Sequence, residues 1–175
     1  MTGGRDAKMK QVHGLKAQAI VEFAIALPVF LALLIGILEV GRLVFIYSAV
    51  TNASRNAARY ASAYGQIESG YYKYTYCDGI RDLARKSAYI VQLSNADIKI
   101  DYDSGPGTAL LVANGCDAVG GDDMDVKAKV FTGHRVTVEI TTIYKPLTKL
   151  IPIGKRTIVS RNSRTILGII DLDNK

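Results

Sequence analysis

Residues 17–38 contain a single charged side chain, Glu22, in an otherwise apolar run that ends at Glu39. A carboxylate at the centre of a membrane helix costs on the order of 3 kcal/mol even on mild insertion scales, so Glu22 calls for either a partner or a shallow depth. The other chemistry-bearing residues are scattered. His13 and His134 have no partner that spacing identifies. The acidic stretches DYDSGPG and CDAVGGDDMD offer carboxylates suited to calcium at Asp101, Asp103, Asp117, Asp122, Asp123 and Asp125. The calcium-loop pattern fails, because position twelve counted from Asp101 is Val112 and not Glu. These stretches read as solvated turns, and no metal or cofactor is expected. Phosphate-binding loops, zinc spacings and nucleophile elbows are absent from the sequence, so no catalytic residue is assigned and the chain reads as a non-enzyme.

Charge distribution positions Glu22. The net charge is +6, and half of it falls within residues 1–17, where Arg5, Lys8, Lys10 and Lys16 face only Asp6. The remainder mixes its signs too evenly for a nucleic-acid surface. Residues 1–17 read as a basic, Gly-containing, disordered leader that stays in the cytoplasm by the positive-inside rule. The run 19–38 is about 30 Å long as a helix, the thickness of a hydrocarbon core. It is longer than a signal-peptide core of about 7–15 residues, and Ala61-Ser62-Ala63 lies too far downstream for signal-peptide cleavage. Glu39 and Arg42, three apart, form a pair at the outer membrane interface, with Tyr47 just beyond as an interfacial aromatic. Pro28 removes one backbone hydrogen bond inside the span and bends it slightly.

The helix is expected to continue beyond the membrane. From Leu43 to Tyr64 there is neither Pro nor Gly, and Ala49, Ala53, Ala57 and Ala61 recur every fourth residue, with Arg55 and Arg59 on another face. One helix over residues 18–63, stopped by Gly65, accounts for this. The alanine stripe reads as a seam against the chain's own sheet or a neighbouring subunit.

Residues 64–175 read as an exported α+β domain. Ile80, Leu83, Ala84, Ala88 and Val91 share one face of a short amphipathic helix. Ile98, Ile100 and Tyr102 alternate as in a strand, VKAKVFTGHRVTVEITTIY reads as a hairpin turning near Thr132-Gly133, and RTIVSRNSRTILGII as a last strand. An antiparallel sheet packed on the outer half of the long helix follows. The tyrosines Tyr71, Tyr72, Tyr74 and Tyr76 sit in a loop-like stretch that is a contact surface or a half-buried turn. Cys77 and Cys116 both fall in the exported part, where an oxidising compartment favours a disulfide over two buried thiols. Asn52 matches a glycosylation acceptor but lies within the expected helix, which argues against its use.

The segment AQAIVEFAIALPVFLALLIGILEVGRLVFIYSAVTNASRNAARYASA resembles the N-terminal signature of the TadE-like family, pseudopilins or minor pilins of the tight-adherence (Tad) branch of type IV pilus machinery. The order Gln18, Ala19, Val21-Glu22-Phe23, Leu27-Pro28, Glu39, Gly41-Arg42 and Asn56-Ala57-Ala58-Arg59-Tyr60 carries it, and Tyr144, Pro146 and Leu147 are similar to a step in the family's later strands. The resemblance implies a type IV pilin-like fold and cleavage by a prepilin peptidase, with Glu as the fifth mature residue. Cleavage between Ala17 and Gln18 puts Glu22 fifth; Ala17 stands where Gly is expected, and the nearest glycine, Gly14, would put Glu22 eighth. The resemblance further implies pilin assembly through Glu22 and Phe23, with other Tad pilins and minor pilins, the inner-membrane Tad assembly platform, the prepilin peptidase and the lipid bilayer as partners. Two alternatives remain beside this reading: an unprocessed single-span protein with an extracytoplasmic binding or adhesion domain, and a tethered extracytoplasmic enzyme.

Overall fold

In the computed structural model, described over residues 6–67, 71–113, 115, 124–148 and 154–168, one helix, α1, runs over Asp6–Ser62 without a break at Pro28. It starts twelve residues earlier than the sequence reading placed it. Ala7, Lys8, Met9, Lys10, Gln11, Leu15, Lys16 and Ala17 are good helix formers, so a helix nucleated in the apolar run extends backward through the leader at little cost. The C-terminal end lies beside Gly65, whose φ of 120° suits a glycine.

The chain divides into two compact units, Met1–Arg42 with Pro146–Ile153, and Leu43–Lys145 with Gly154–Lys175. The second holds helix α2 (Cys77–Ser87), strand β1 (Ile98–Asp103), strand β2 (Leu110–Val112), helix α3 (Met124–Lys129), strand β3 (Arg135–Tyr144) and strand β4 (Arg156–Thr165). The strands form one antiparallel sheet in the order β2-β1-β3-β4. The fold is therefore α+β: a long N-terminal apolar helix and a small antiparallel sheet domain.

The sheet's two faces follow from strand alternation. On the inner face Ile98, Ile100 and Tyr102 of β1 lie opposite Ile140, Val138 and Val136 of β3, all essentially inaccessible to water. β4 continues this face with Ile158, Ser160 and Asn162, opposite Thr142, Ile140 and Val138. The alanine stripe of α1 supplies the facing surface: Ala53, Ala57 and Ala61 are fully buried and Ala49 nearly so, while Arg55 and Arg59 are exposed. The seam is thus made with the chain's own sheet. Small side chains let the helix backbone come close enough for Ser54 Oγ to meet Ser160 Oγ at 2.8 Å and to accept from Asn162 Nδ2 at 2.6 Å. This buried polar knot has its groups paired, the condition under which it does not destabilise the core.

The outer face is polar. Lys99, Asp101 and Asp103 lie opposite Glu139, Thr137 and Arg135. Arg135 grips Asp103 through a two-pronged fork of 2.8 and 2.9 Å, and Asp101, almost wholly buried, has Lys99 Nζ at 3.3 Å and Arg161 Nη2 at 3.9 Å. A buried carboxylate needs such partners.

The type of one element differs from its sequence reading, and β2 was not anticipated. VKAK is not the first strand of a hairpin but part of α3, and β3 pairs instead with β1 and β4. Val126, Ala128 and Val130 satisfy a period of two on paper, yet Ala128 is exposed while Val126 and Val130 are buried one helical turn apart. The Thr132-Gly133 turn is present, with Gly133 at φ 92°, and it joins a helix to a strand.

Candidate functional site

Glu22 lies on the part of α1 whose side chains have no cover in the chain. Ile20, Val21, Phe23, Ile25, Val29 and Phe30 are all more than half exposed. The helix is long and apolar enough to cross a membrane, and the most apolar stretch is entirely unburied. Such a surface requires lipid or other helices around it. Gln18 Nε2 donates to Glu22 Oε1 at 3.0 Å, four residues apart and so one helical turn. The carboxylate is thereby held toward the N-terminal end of the helix, on the side where the expected cleavage junction lies. Glu22, Ile25, Ala26, Val29, Phe30 and Leu33 line a shallow open cleft along one face. Their spacing of three and four is that of a single helix stripe, a packing seam with a carboxylate at one end. Phe23 is exposed on α1 next to Glu22. Ala17 belongs to the helix, but its side chain is among those outside the described residues.

At the other end of the apolar run, Glu39 and Arg42 do meet. Arg42 Nη2 donates to Glu39 Oε1 at 3.3 Å. The geometry adds a partner that spacing did not reveal. The backbone N–H of Leu147 donates to the same Oε1 at 2.9 Å. Glu39 is accordingly buried rather than an exposed interfacial charge. Both residues belong to the same compact unit, which pairs Met1–Arg42 with Pro146–Ile153. A separation of 108 residues puts this contact beyond any local pattern.

The remaining candidates in the sheet domain read as architecture. Cys77 is disulfide-bonded, while Cys116, the other cysteine in the sequence, lies outside the described residues. Asp101 and Asp103 are taken up by basic side chains, Asp117, Asp122 and Asp123 and the side chain of Asp125 are outside the described residues, and no metal-binding group of three His, Cys, Asp or Glu occurs among the described residues. His134 Nδ1 accepts from the Phe131 backbone N–H at 3.1 Å, a turn contact. The side chain of His13 is not among those described. The tyrosine stretch forms turns: Tyr72 and Tyr74 stack at 5.4 Å, and Tyr102 Oη donates to the Tyr74 carbonyl at 2.6 Å. Burial, with a smaller contribution from neighbouring Tyr76, pushes the Tyr60 hydroxyl above its ordinary pKa. Gly79 packs against the Tyr76 ring with no room for a Cβ.

An uncovered apolar stretch of helix with a glutamate near its N-terminal end agrees with one family comparison. Residues 17–59 match the TadE-like protein family. The TadE-like segment covers the glutamate, the exposed stripe, the Glu39–Arg42 pair and most of the alanine seam, and stops short of the sheet. It associates the chain with Tad pilus-related, pilin-like proteins and with membrane anchoring through α1. No curated protein and no solved structure matches the chain.

Proposed function

We propose that this TadE-like chain is a minor pilin or pseudopilin that assembles with other Tad pilins through the exposed stripe of α1. The leader stays cytoplasmic, the sheet domain lies outside the membrane, and a prepilin peptidase cuts between Ala17 and Gln18. The protein then works by helix packing in the bilayer and in the filament, supported by the inner-membrane assembly platform, and not by turnover. The observation that carries this reading is the Gln18–Glu22 contact at the head of an uncovered apolar helix within the family match. Cleavage would create an α-amine on Gln18, the residue whose side chain already reaches Glu22. Either that amine or one from an adjacent subunit would then neutralise the carboxylate and reduce the cost of burying it.

A second reading, an unprocessed single-span protein with an extracytoplasmic binding or adhesion domain, is favoured by two specific observations. Ala17 occupies the position where glycine is expected, and α1 passes through Ala17–Gln18 as continuous helix. Mass spectrometry of the protein isolated from membranes separates the two. A chain beginning at Gln18 is the expected result, and a chain retaining Met1 or Thr2 overturns processing and selects the second reading.

A further inference from the structure

We propose that the protein makes a second membrane contact: Leu147, in the connection between β3 and β4, inserts into the bilayer interface at the outer end of the α1 span. This rests on α1 crossing the membrane. Residues 19–38 hold no charge besides Glu22, so Glu39 is the first charge after a run of membrane-spanning length. The Glu39 carboxylate accepts the Leu147 backbone N–H at 2.9 Å, which fixes that point of the connection beside the same helical turn. Glu39 and Leu147 belong to the same compact unit. The Leu147 side chain is nevertheless 76% exposed. An uncovered isobutyl group tethered at the headgroup level has the upper acyl region of the lipid as its nearest apolar solvent. The partner is therefore the lipid interface itself, and Glu39 is the positioning residue that presents Leu147 to it.

The sequence contains no tryptophan, so one introduced indole reports one place. The full chain carrying Leu147→Trp would be reconstituted in phosphatidylcholine–phosphatidylglycerol vesicles with and without phospholipids brominated near the glycerol end of the acyl chain. Ile25→Trp in the span and Tyr89→Trp, at a residue 78% exposed in the sheet domain, serve as comparators. The expected result is blue-shifted emission and quenching of roughly twofold or more for Leu147→Trp and quenching for Ile25→Trp, with water-like, unquenched emission for Tyr89→Trp. Adding Glu39→Ala to Leu147→Trp should return its quenching toward the Tyr89→Trp level. Quenching for Ile25→Trp without Leu147→Trp overturns the loop contact and leaves the span intact. Absence of quenching in both overturns the span and the loop contact together. Quenching for all three overturns a contact specific to Leu147, and an unchanged signal with Glu39→Ala overturns the role given to Glu39.

Discussion

Glu22 and Glu39 bracket the apolar run, and their surroundings differ. Glu22 is exposed on the helix and, among the described residues, accepts from the Gln18 amide, whereas Glu39 is buried between a guanidinium and a backbone N–H. A carboxylate with one neutral partner has capacity left for a cation, which is the basis for assigning Glu22 to assembly. Glu22→Ala should leave membrane insertion intact and reduce co-purification with other pilins by about tenfold, equivalent to ~1.4 kcal/mol of association free energy. Normal recovery of the alanine variant with its partners would remove Glu22 from that role. Tyr60 sets a second expectation at this scale. Its hydroxyl is raised mainly by burial and secondly by Tyr76, so the folded state holds its proton to higher pH than the unfolded chain does. The linked stability is fully present below the ordinary tyrosine value near 10 and is lost as pH rises through the raised one. A thermal-unfolding series in alkaline buffer should therefore show stability falling above pH ~10, and Tyr60→Phe should flatten that fall.

Elements were legible in the sequence where one face of a periodic segment had a single burial. The alanine stripe of α1 and the alternation in β1 have this character and are found where their patterns place them, whereas α2 starts at Cys77 and ends at Ser87, short of Val91, and the last strand ends at Thr165. α3 lacked it, because Val126, Ala128 and Val130 fit a strand and a helix equally well over so short a stretch. The Ser54–Ser160–Asn162 knot was not legible, since a helical serine and a strand serine and asparagine carry no signal of each other. The seam makes a quantitative expectation. Ala57 is fully buried against a sheet face already filled by branched side chains. Ala57→Leu should destabilise the sheet domain by about 1–3 kcal/mol through overpacking, while Arg55→Ala on the exposed face should stay within about 0.5 kcal/mol. Denaturant titration of the two variants in one detergent distinguishes them, and equal effects would mean that the seam is not closely packed.

Across the whole molecule, the family match and the covalent framework lie in different places. The TadE-like segment ends at residue 59, before α2 and the sheet, so the sheet domain has to be understood from its own packing. Its α2, β1, β3 and β4 were readable from local periodicity and its α3 and β2 were not, while the bond from Leu147 to Glu39 joins residues 108 apart and left no local trace. The disulfide at Cys77 is a further long-range constraint. With Cys116 as its partner it closes a loop of about forty residues, and its reduction should lower the stability of the sheet domain by about 3–4 kcal/mol in the chain-entropy description. Peptide mapping without reductant should recover the two cysteines in one linked fragment. Separate peptides would exclude the intramolecular bridge.

The bond from Leu147 to Glu39 also has a history within each newly made chain. Glu39 is synthesised 108 residues before the N–H that will cover it. At about 5–20 residues per second, that interval lasts roughly 5–20 s. Arg42 leaves the ribosome three residues after Glu39 and is the carboxylate's earliest companion. The short-range ion pair is thus a provisional partner, tending a charge at the edge of the span until the chain has been translated past β3 to Leu147. A chain stalled before Leu147 would have the nascent helix and its ion pair, and would lack the contact that closes over them.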